Sequence, residues 1–302
     1  MTTGKMSQSA INAASGRAAH LILDAEPKVM RDDYAVRFNG MQDESAFITQ
    51  YNENYARLAQ ISEENARAFS QSYRALAAVR HRYAEDELAR ALERGVSQYV
   101  ILGSGLDYFA FRRRDLEDRL RVFEVDRPAA QEWKRARLHE LGISPPQNLT
   151  FVPVDFEKQT LTYELCAHGL RKDLPVFFSW LGVTQYLTEA AVFQSLRQIV
   201  STASGSGIVF EYLVADSLLS DLEKLIVAGG KASPEEPWIS QFDPIALAER
   251  LKEMGFNEVS DFGPEETNAL YLVTRTDDIS RSALEGLSWS MLRIAHLMKA
   301  RV

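Results

Sequence analysis

Cysteine is nearly absent: Cys166 is the only one in 302 residues. A single thiol excludes an internal disulfide, and with it the small stapled folds of secreted proteins. It fits a reducing cytoplasm, which is the expected location. Long apolar runs are missing too. The most apolar stretches, such as Val176–Trp180, fall far short of the ~20 residues that a membrane-crossing helix needs, so no membrane partner is expected. The first residues lack a charged segment followed by an apolar run, and no signal peptide is read there. Positive charge is in deficit, with 34 basic against 42 acidic residues and a net charge of −8. That leaves no broad basic face for nucleic acid. The one dense basic cluster, Arg112-Arg113-Arg114, is followed at once by Asp115, Glu117 and Asp118 and reads as a self-neutralised surface. Histidine is sparse. His20, His81, His139, His168 and His296 show no ligand-like spacing to each other, to cysteine or to carboxylates, so no metal site is expected. No G-x-S-x-G elbow is present, which removes the commonest hydrolase signature. The sequence has neither an internal repeat nor a low-complexity tract.

What remains is an ordinary globular composition, 46% hydrophobic, with a clear change of rhythm near Gly95. Residues 1–20 are small and polar, and a mobile start is expected. Residues 45–95 read as helical, with Phe69, Tyr73, Leu76, Val79 and Tyr83 recurring at steps of three and four as an apolar stripe. Gly95 suits a helix C-cap. Short β-rich runs then follow at Gln98–Leu102, Arg121–Val125, Leu149–Val154, Val176–Trp180 and Gly207–Leu213. Spacers of ~20 residues between them predict βαβ units and a mostly parallel sheet covered on both faces. Thr188 and Asp243-Pro244 read as helix starts. Residues 215–242, with Gly229-Gly230, Pro234 and Pro237, leave the βα rhythm and are expected to cover a substrate. Phe256–Phe262 and Ala269–Thr274 read as a closing strand pair, and Arg281–Lys299 as a last helix. The expected architecture is therefore α/β, Rossmann-like. An N-terminal helical extension (1–95) precedes a core (96–302) with an insertion near 215–242.

The most informative segment is Val100-Ile101-Leu102-Gly103-Ser104-Gly105-Leu106-Asp107. A buried strand runs into a glycine turn, which lets backbone approach a nucleotide-like ligand closely. A tight βα turn would need the same glycines. Tyr108 stands where a dinucleotide G-x-G-x-x-G motif has its third glycine, which counts against a pyrophosphate cradle and a nucleotide-dependent oxidoreductase. Asp126 ends the next strand, where an acid can accept both ribose hydroxyls. Asp155 ends the third strand and serves equally well as a helix N-cap.

These segments resemble the leucine carboxyl methyltransferase family, and more closely its bacterial branch of S-adenosylmethionine-dependent methyltransferases. The resemblance is carried by Arg31-Asp32-Asp33-Tyr34-Ala35, Val79–Tyr83, Val100–Asp107, Phe123–Pro128, Val152–Phe156 and Gly182–Thr188, in the family's order. It implies a class I methyltransferase fold with a mostly parallel seven-stranded sheet, and S-adenosylmethionine as cofactor. By position, Arg80 is implied as partner of the cofactor's methionine carboxylate. Gly103, Ser104 and Gly105 would lie under its methionine part, Asp126 at the ribose, and Asp155 with Phe156 beside the adenine. A guanidinium suits a carboxylate through paired charge-assisted bonds; without the resemblance Arg80 reads as a surface helix arginine. One departure is visible. The family often carries Glu just before the strand-four glycine, where this chain has Leu181, so that contact is lost or supplied elsewhere.

The family's chemistry implies a small-molecule acceptor, in the first place a carboxylic acid converted to a methyl ester. A carboxylate is already ionised and needs no general base. Methylation of a hydroxyl, or cofactor binding without catalysis, stays open, as does assembly into a homo-oligomer. Tyr186 and Tyr212, with Gln185, are the candidates for positioning the acceptor; Tyr186 reads equally as a packing aromatic. Trp180 reads as core, and Trp238 as a residue that closes over a substrate or pins its own loop. A cleft rimmed by Tyr34, Phe38 and Trp238 would suit an apolar acid.

Overall fold

The computed structural model describes residues 6–38, 43–60, 62–273 and 290–302. The helices are α1 (Gln8–Leu23), α2 (Asp33–Phe38), α3 (Glu44–Ala59), α4 (Glu63–Glu93), α5 (Phe109–Arg112), α6 (Pro128–Glu140), α7 (Leu161–Ala167), α8 (Glu189–Val200), α9 (Asp221–Lys231), α10 (Pro244–Glu253), α11 (Pro264–Thr267) and α12 (Ser290–Ile294). The strands are β1 (Gln98–Leu102), β2 (Arg121–Asp126), β3 (Leu149–Pro153), β4 (Val176–Trp180), β5 (Gly207–Leu213), β6 (Glu258–Phe262) and β7 (Ala295–Arg301). They form one seven-stranded sheet in the order β3-β2-β1-β4-β5-β7-β6. The first five strands are parallel, and β7 runs antiparallel between β5 and β6.

Every residue of β1, β4 and β5 is buried, as strands covered on both faces must be. Local signals fix many boundaries. Gly95 takes φ +91° after α4. The Thr188 hydroxyl accepts the Ala191 N–H to start α8, and Asp243 caps α10 ahead of Pro244. The strand order reverses between β1 and β4, so the ends of those two strands open a crevice where ligands of α/β sheets bind.

Three sequence expectations are corrected. The start of the chain is not loose from Gln8 onward: α1 buries Ala14, Ala18 and Ala19, and its Ser9 N–H donates to Glu236 Oε2 at 2.9 Å. Ala269–Thr274 is not a strand, because Asn268–Leu272 forms a π-helical turn that continues α11. Of the described part of the expected helix Arg281–Lys299, Ser290–Ile294 is helical, and Ala295–Arg301 is the closing strand β7. Thr274 and residues 281–289 lie outside the described residues. β7 is made of Ala, His, Leu, Met, Lys and Arg, which local preference assigns to helix. Pairing along its length with β5 on one side and β6 on the other overrides that preference.

Helices α1, α2 and α4 share a hydrophobic core with the sheet, in which Ala14, Phe38, Leu76 and Val79 join Val100, Phe178, Phe210 and Met298, while Phe47 of α3 packs with Ala18, Ala19 and Ala35 in a second, smaller cluster. Tyr271 donates to Asp86 at 2.8 Å and Met291 N–H to Ser72 at 2.8 Å, tying the chain's end to α4. Among the described residues no helix is long and apolar enough to cross a membrane. No cluster of three His, Cys, Asp or Glu placed to hold a metal ion occurs among them.

Candidate cofactor site

A cavity of about 820 Å³ opens at the crevice. Its floor is the β1–α5 turn. Gly103 and Gly105 take φ +63° and +43°, left-handed backbone that glycine alone adopts without strain. A Cβ on Gly103 would overlap the Val183 side chain. The turn is tied to β2 by its backbone, with Ser104 N–H donating to Val125 O at 2.9 Å. Asp126 ends β2 beside it. Its Oδ2 accepts Gly105 N–H at 2.6 Å and its Oδ1 accepts Arg127 N–H at 2.7 Å. An ionised carboxylate has about four acceptor positions, so two remain for a ligand's hydroxyls. Burial raises the Asp126 pKa, and the two N–H bonds oppose that rise.

Below the turn lies a buried ion pair. Lys134 Nζ bonds Glu124 Oε2 at 2.5 Å and the Asp107 carbonyl at 2.5 Å, with the Tyr108 ring 5.0 Å from Nζ. Burial pushes the Glu124 carboxyl up to about 7 against the pull of Lys134. Tyr108, at the missing third glycine, is fully buried. It packs in an aromatic group with Tyr34, Phe38 and Phe111, and so replaces the close helix–strand approach that a third glycine permits.

Of the residues expected at the cofactor, Arg80, Gly103, Ser104, Gly105, Asp126 and Phe156 all line this one cavity. Asp155 does not. Its carboxylate accepts Glu157 N–H at 3.1 Å and pairs with Lys158 at 3.1 Å, shaping the turn after β3. Tyr186, Gln185 and Trp238 line the cavity, whereas Tyr212, Tyr34 and Phe38 do not. Tyr212 is buried behind β5 and donates to Asp261 Oδ1 at 2.7 Å. Its position near a strand end suggested exposure to ligand; successive β5 side chains face opposite sides of the sheet, so Glu211 faces Arg80 and the cavity while Tyr212 packs on the other side against Phe210 and Phe242.

Sequence reasoning missed two residues of the wall. Glu211, on β5, binds Arg80 Nη1 through Oε2 at 2.7 Å, and both side chains are buried. Its only sequence signal was a lone acid inside the apolar run Gly207–Leu213. Tyr73 had been read as part of the α4 apolar stripe, yet it lines the cavity. Burial pushes its phenol up to about 12, with Arg80, Tyr186 and Glu211 near enough to act on it. His81 also lines the cavity. Its Nδ1 lies 2.9 Å from the Ala77 carbonyl, its i−4 neighbour. Burial, with Arg17 and Arg80 nearby, drops its pKa well below the ordinary value. The Asp107 carboxylate is 3.8 Å from Nε2, too distant to hold a proton there.

Phe69, Leu76, Ile226, Trp238 and Met291 give the cavity an apolar lining, with Ser233, Glu235 and Glu236 also contributed by the segment that carries Trp238. Trp238 comes from the segment after α9, and a Cβ on Gly230 would overlap its ring. Trp238 N–H donates to the Gly230 carbonyl, and Ile239 N–H to the Gln185 carbonyl at 2.7 Å. The cap is thereby held over the sheet edge.

The strand order with its antiparallel seventh strand, the glycine turn after β1 and the acid ending β2 define a class I methyltransferase fold. The chain belongs to the leucine carboxyl methyltransferase family, whose model matches residues 10–200. It is 35% identical over 204 residues to Bacillus subtilis (strain 168) "Putative S-adenosyl-L-methionine-dependent methyltransferase YktD", covering 66% of each chain. It is 33% identical over 147 residues to a Mycobacterium marinum (strain ATCC BAA-535 / M) protein named "Putative S-adenosyl-L-methionine-dependent methyltransferase", covering 48% of each. The matched region thus spans just under two thirds of the first relative and about half of the second. Among solved structures, the fold resembles "a putative methyltransferase from Thermobifida fusca YX", with TM-score 0.57, 16% identity, and 98% and 95% of the two chains covered.

Proposed function

We propose that this chain is an S-adenosylmethionine-dependent methyltransferase that converts the carboxylate of a small, largely apolar acid to its methyl ester. The observation that carries the reading is convergence. The glycine turn, the β2 acid, Phe156 and Arg80 come from segments far apart in sequence and face one cavity. The residues fit the cofactor: the turn packs too closely on Val183 and Ala10 to carry Cβ atoms at Gly103 and Gly105, so it presents bare backbone to the cavity, and Asp126 keeps two acceptor positions free. A volume of about 820 Å³ is at the upper end of ligand pockets, roughly 300–1,000 Å³, and leaves room for two reactants. The names of the relatives and the family support the same reading.

When bound, S-adenosylmethionine supplies a methyl group on a sulfonium that is already a strong electrophile. What is left to the protein is alignment and exclusion of water. Asp126 would hold the ribose, and the turn with Arg80 the methionine part. The apolar wall from Phe69 to Trp238 would seat the body of the acceptor, with Tyr73 and Tyr186 at its polar end. Tyr73 keeps its proton at neutral pH and can donate to an acceptor oxygen. His81 is buried, with its pKa depressed, and is a poor base for a hydroxyl. A carboxylate needs no base, which favours it as nucleophile. With Cys166 as its single cysteine, the chain suits a reducing cytoplasm.

The test is transfer of labelled methyl from S-adenosylmethionine into a panel of aliphatic and aromatic carboxylic acids, followed by base. Methyl esters release labelled methanol, whereas ethers retain the label. A base-stable product would replace the carboxylate with a hydroxyl. Stabilisation by NAD but not by S-adenosylhomocysteine would end the methyltransferase reading.

A further inference from the structure

We infer that Glu211 holds the α-ammonium of the cofactor, so that Arg80 and Glu211 together form a clamp for a zwitterionic amino-acid end. The inference rests on the cofactor reading above and adds a residue to it.

Arg80 and Glu211 are 131 positions apart, on α4 and β5, and meet at 2.7 Å in the cavity wall. They are 7% and 2% exposed. A buried ion pair placed only for stability gains little over apolar packing. This one also lines a cavity beside the polar tips of Tyr73 and Tyr186. Arg80 is incompletely used: its Nη1 serves Glu211, but its buried Nε has no hydrogen-bond partner among the described residues. The space around it is kept open by Gly182, where a Cβ would come within 2.9 Å of Nη1.

A zwitterion answers both charges at once. Its carboxylate meets the guanidinium and its ammonium meets Glu211, so neither protein charge is left uncompensated, with or without ligand. S-adenosylmethionine has one such end, and Gly103, Gly105 and Asp126, the other residues of the proposed cofactor site, line the same cavity. The sheet register explains how Glu211 comes to stand there. Trp180 pairs with Phe210 in the parallel β4–β5 ladder, so the next step sets Leu181 beside Glu211. Adjacent strands are only ~4.8 Å apart. The acid absent from position 181 is therefore present one strand to the side, on the same wall.

The test compares two probes by calorimetry: S-adenosylhomocysteine, which carries both charges, and 5′-methylthioadenosine, which carries neither. Glu211→Gln is expected to weaken S-adenosylhomocysteine on the order of tenfold to a hundredfold, while methylthioadenosine changes by less than about threefold. Adding Leu181→Glu to Glu211→Gln should recover part of the lost affinity. If Glu211→Gln does not fold, Glu211→Asp keeps the charge but withdraws it, and the same selective loss is expected. Equal losses for both probes, or unchanged S-adenosylhomocysteine affinity, would leave Glu211 a structural partner of Arg80 and overturn the clamp alone. Failure of the unsubstituted protein to bind S-adenosylhomocysteine would overturn the cofactor reading together with the clamp.

Discussion

His81 illustrates how one residue's surroundings decide what it can do. Its position in a cavity wall beside an arginine invites a role as base, but burial and two guanidinium groups keep the imidazole neutral. The sign of the consequence follows. The unfolded chain gains a proton at this residue near pH 6.5, whereas the folded chain does not. Stability is therefore present above that pH and declines as pH falls toward the lowered folded value. The melting temperature is expected to drop between about pH 7.5 and about pH 5.5, and to drop less in His81→Gln. A His81 imidazole NMR signal, assigned by its loss in His81→Gln, that titrates near 6.5 in the folded protein would contradict this. At this scale the site was half legible in sequence. Gly103, Gly105 and Asp126 announce themselves because a turn needs glycine and a strand end exposes its acid. Glu211 does not, because its meaning depends on Arg80, which local sequence cannot bring near. Tyr212 misled for a related reason: side chains alternate along β5, and local sequence does not say that Glu211, not Tyr212, takes the cavity side.

Among the elements, the cap formed by α9 and the segment to Trp238 lines the cavity where the acceptor is proposed to sit. Ser220 and Glu223 form a capping box at its start, and Glu223 also binds Arg293 on α12. The cap is thus anchored at the sheet side, and Trp238 reaches over the cavity from its far end. The contact between Gly230 and Trp238 sets the ring's position. Gly230→Val is expected to push the ring aside and raise the acceptor KM about tenfold, or ~1.4 kcal/mol. S-adenosylhomocysteine affinity should move by less than about threefold, since its floor lies at β1 and β2. Steady-state kinetics with calorimetry checks both; a large loss of cofactor affinity would show that the cap serves both ligands. Helix starts such as Thr188 and Asp243 were readable because capping is a local event. The strand β7 was not, because its residues favour helix locally and only distant partners make it a strand.

For the whole molecule, β7 matters most. It lies inside the sheet, not at its margin, so β6 has no other partner among the described strands. Removing residues 295–302 is expected to abolish cooperative unfolding, since β5 would face solvent and β6 would lose its only ladder. Circular dichroism melts test this, and a retained sharp transition would refute it. The α/β class, the parallel core and the seven-strand count could be anticipated from spacing and resemblance. The path by which the sheet closes could not.

The bond from Ser9 to Glu236 has its own consequence. It joins the first helix to the segment after α9, two stretches of chain that both line the cavity. A lone neutral-to-charged hydrogen bond is a weak clasp, worth about 1.5–3 kcal/mol. Glu236→Gln would loosen it, admitting bulkier acids while letting more water in beside the reacting sulfonium.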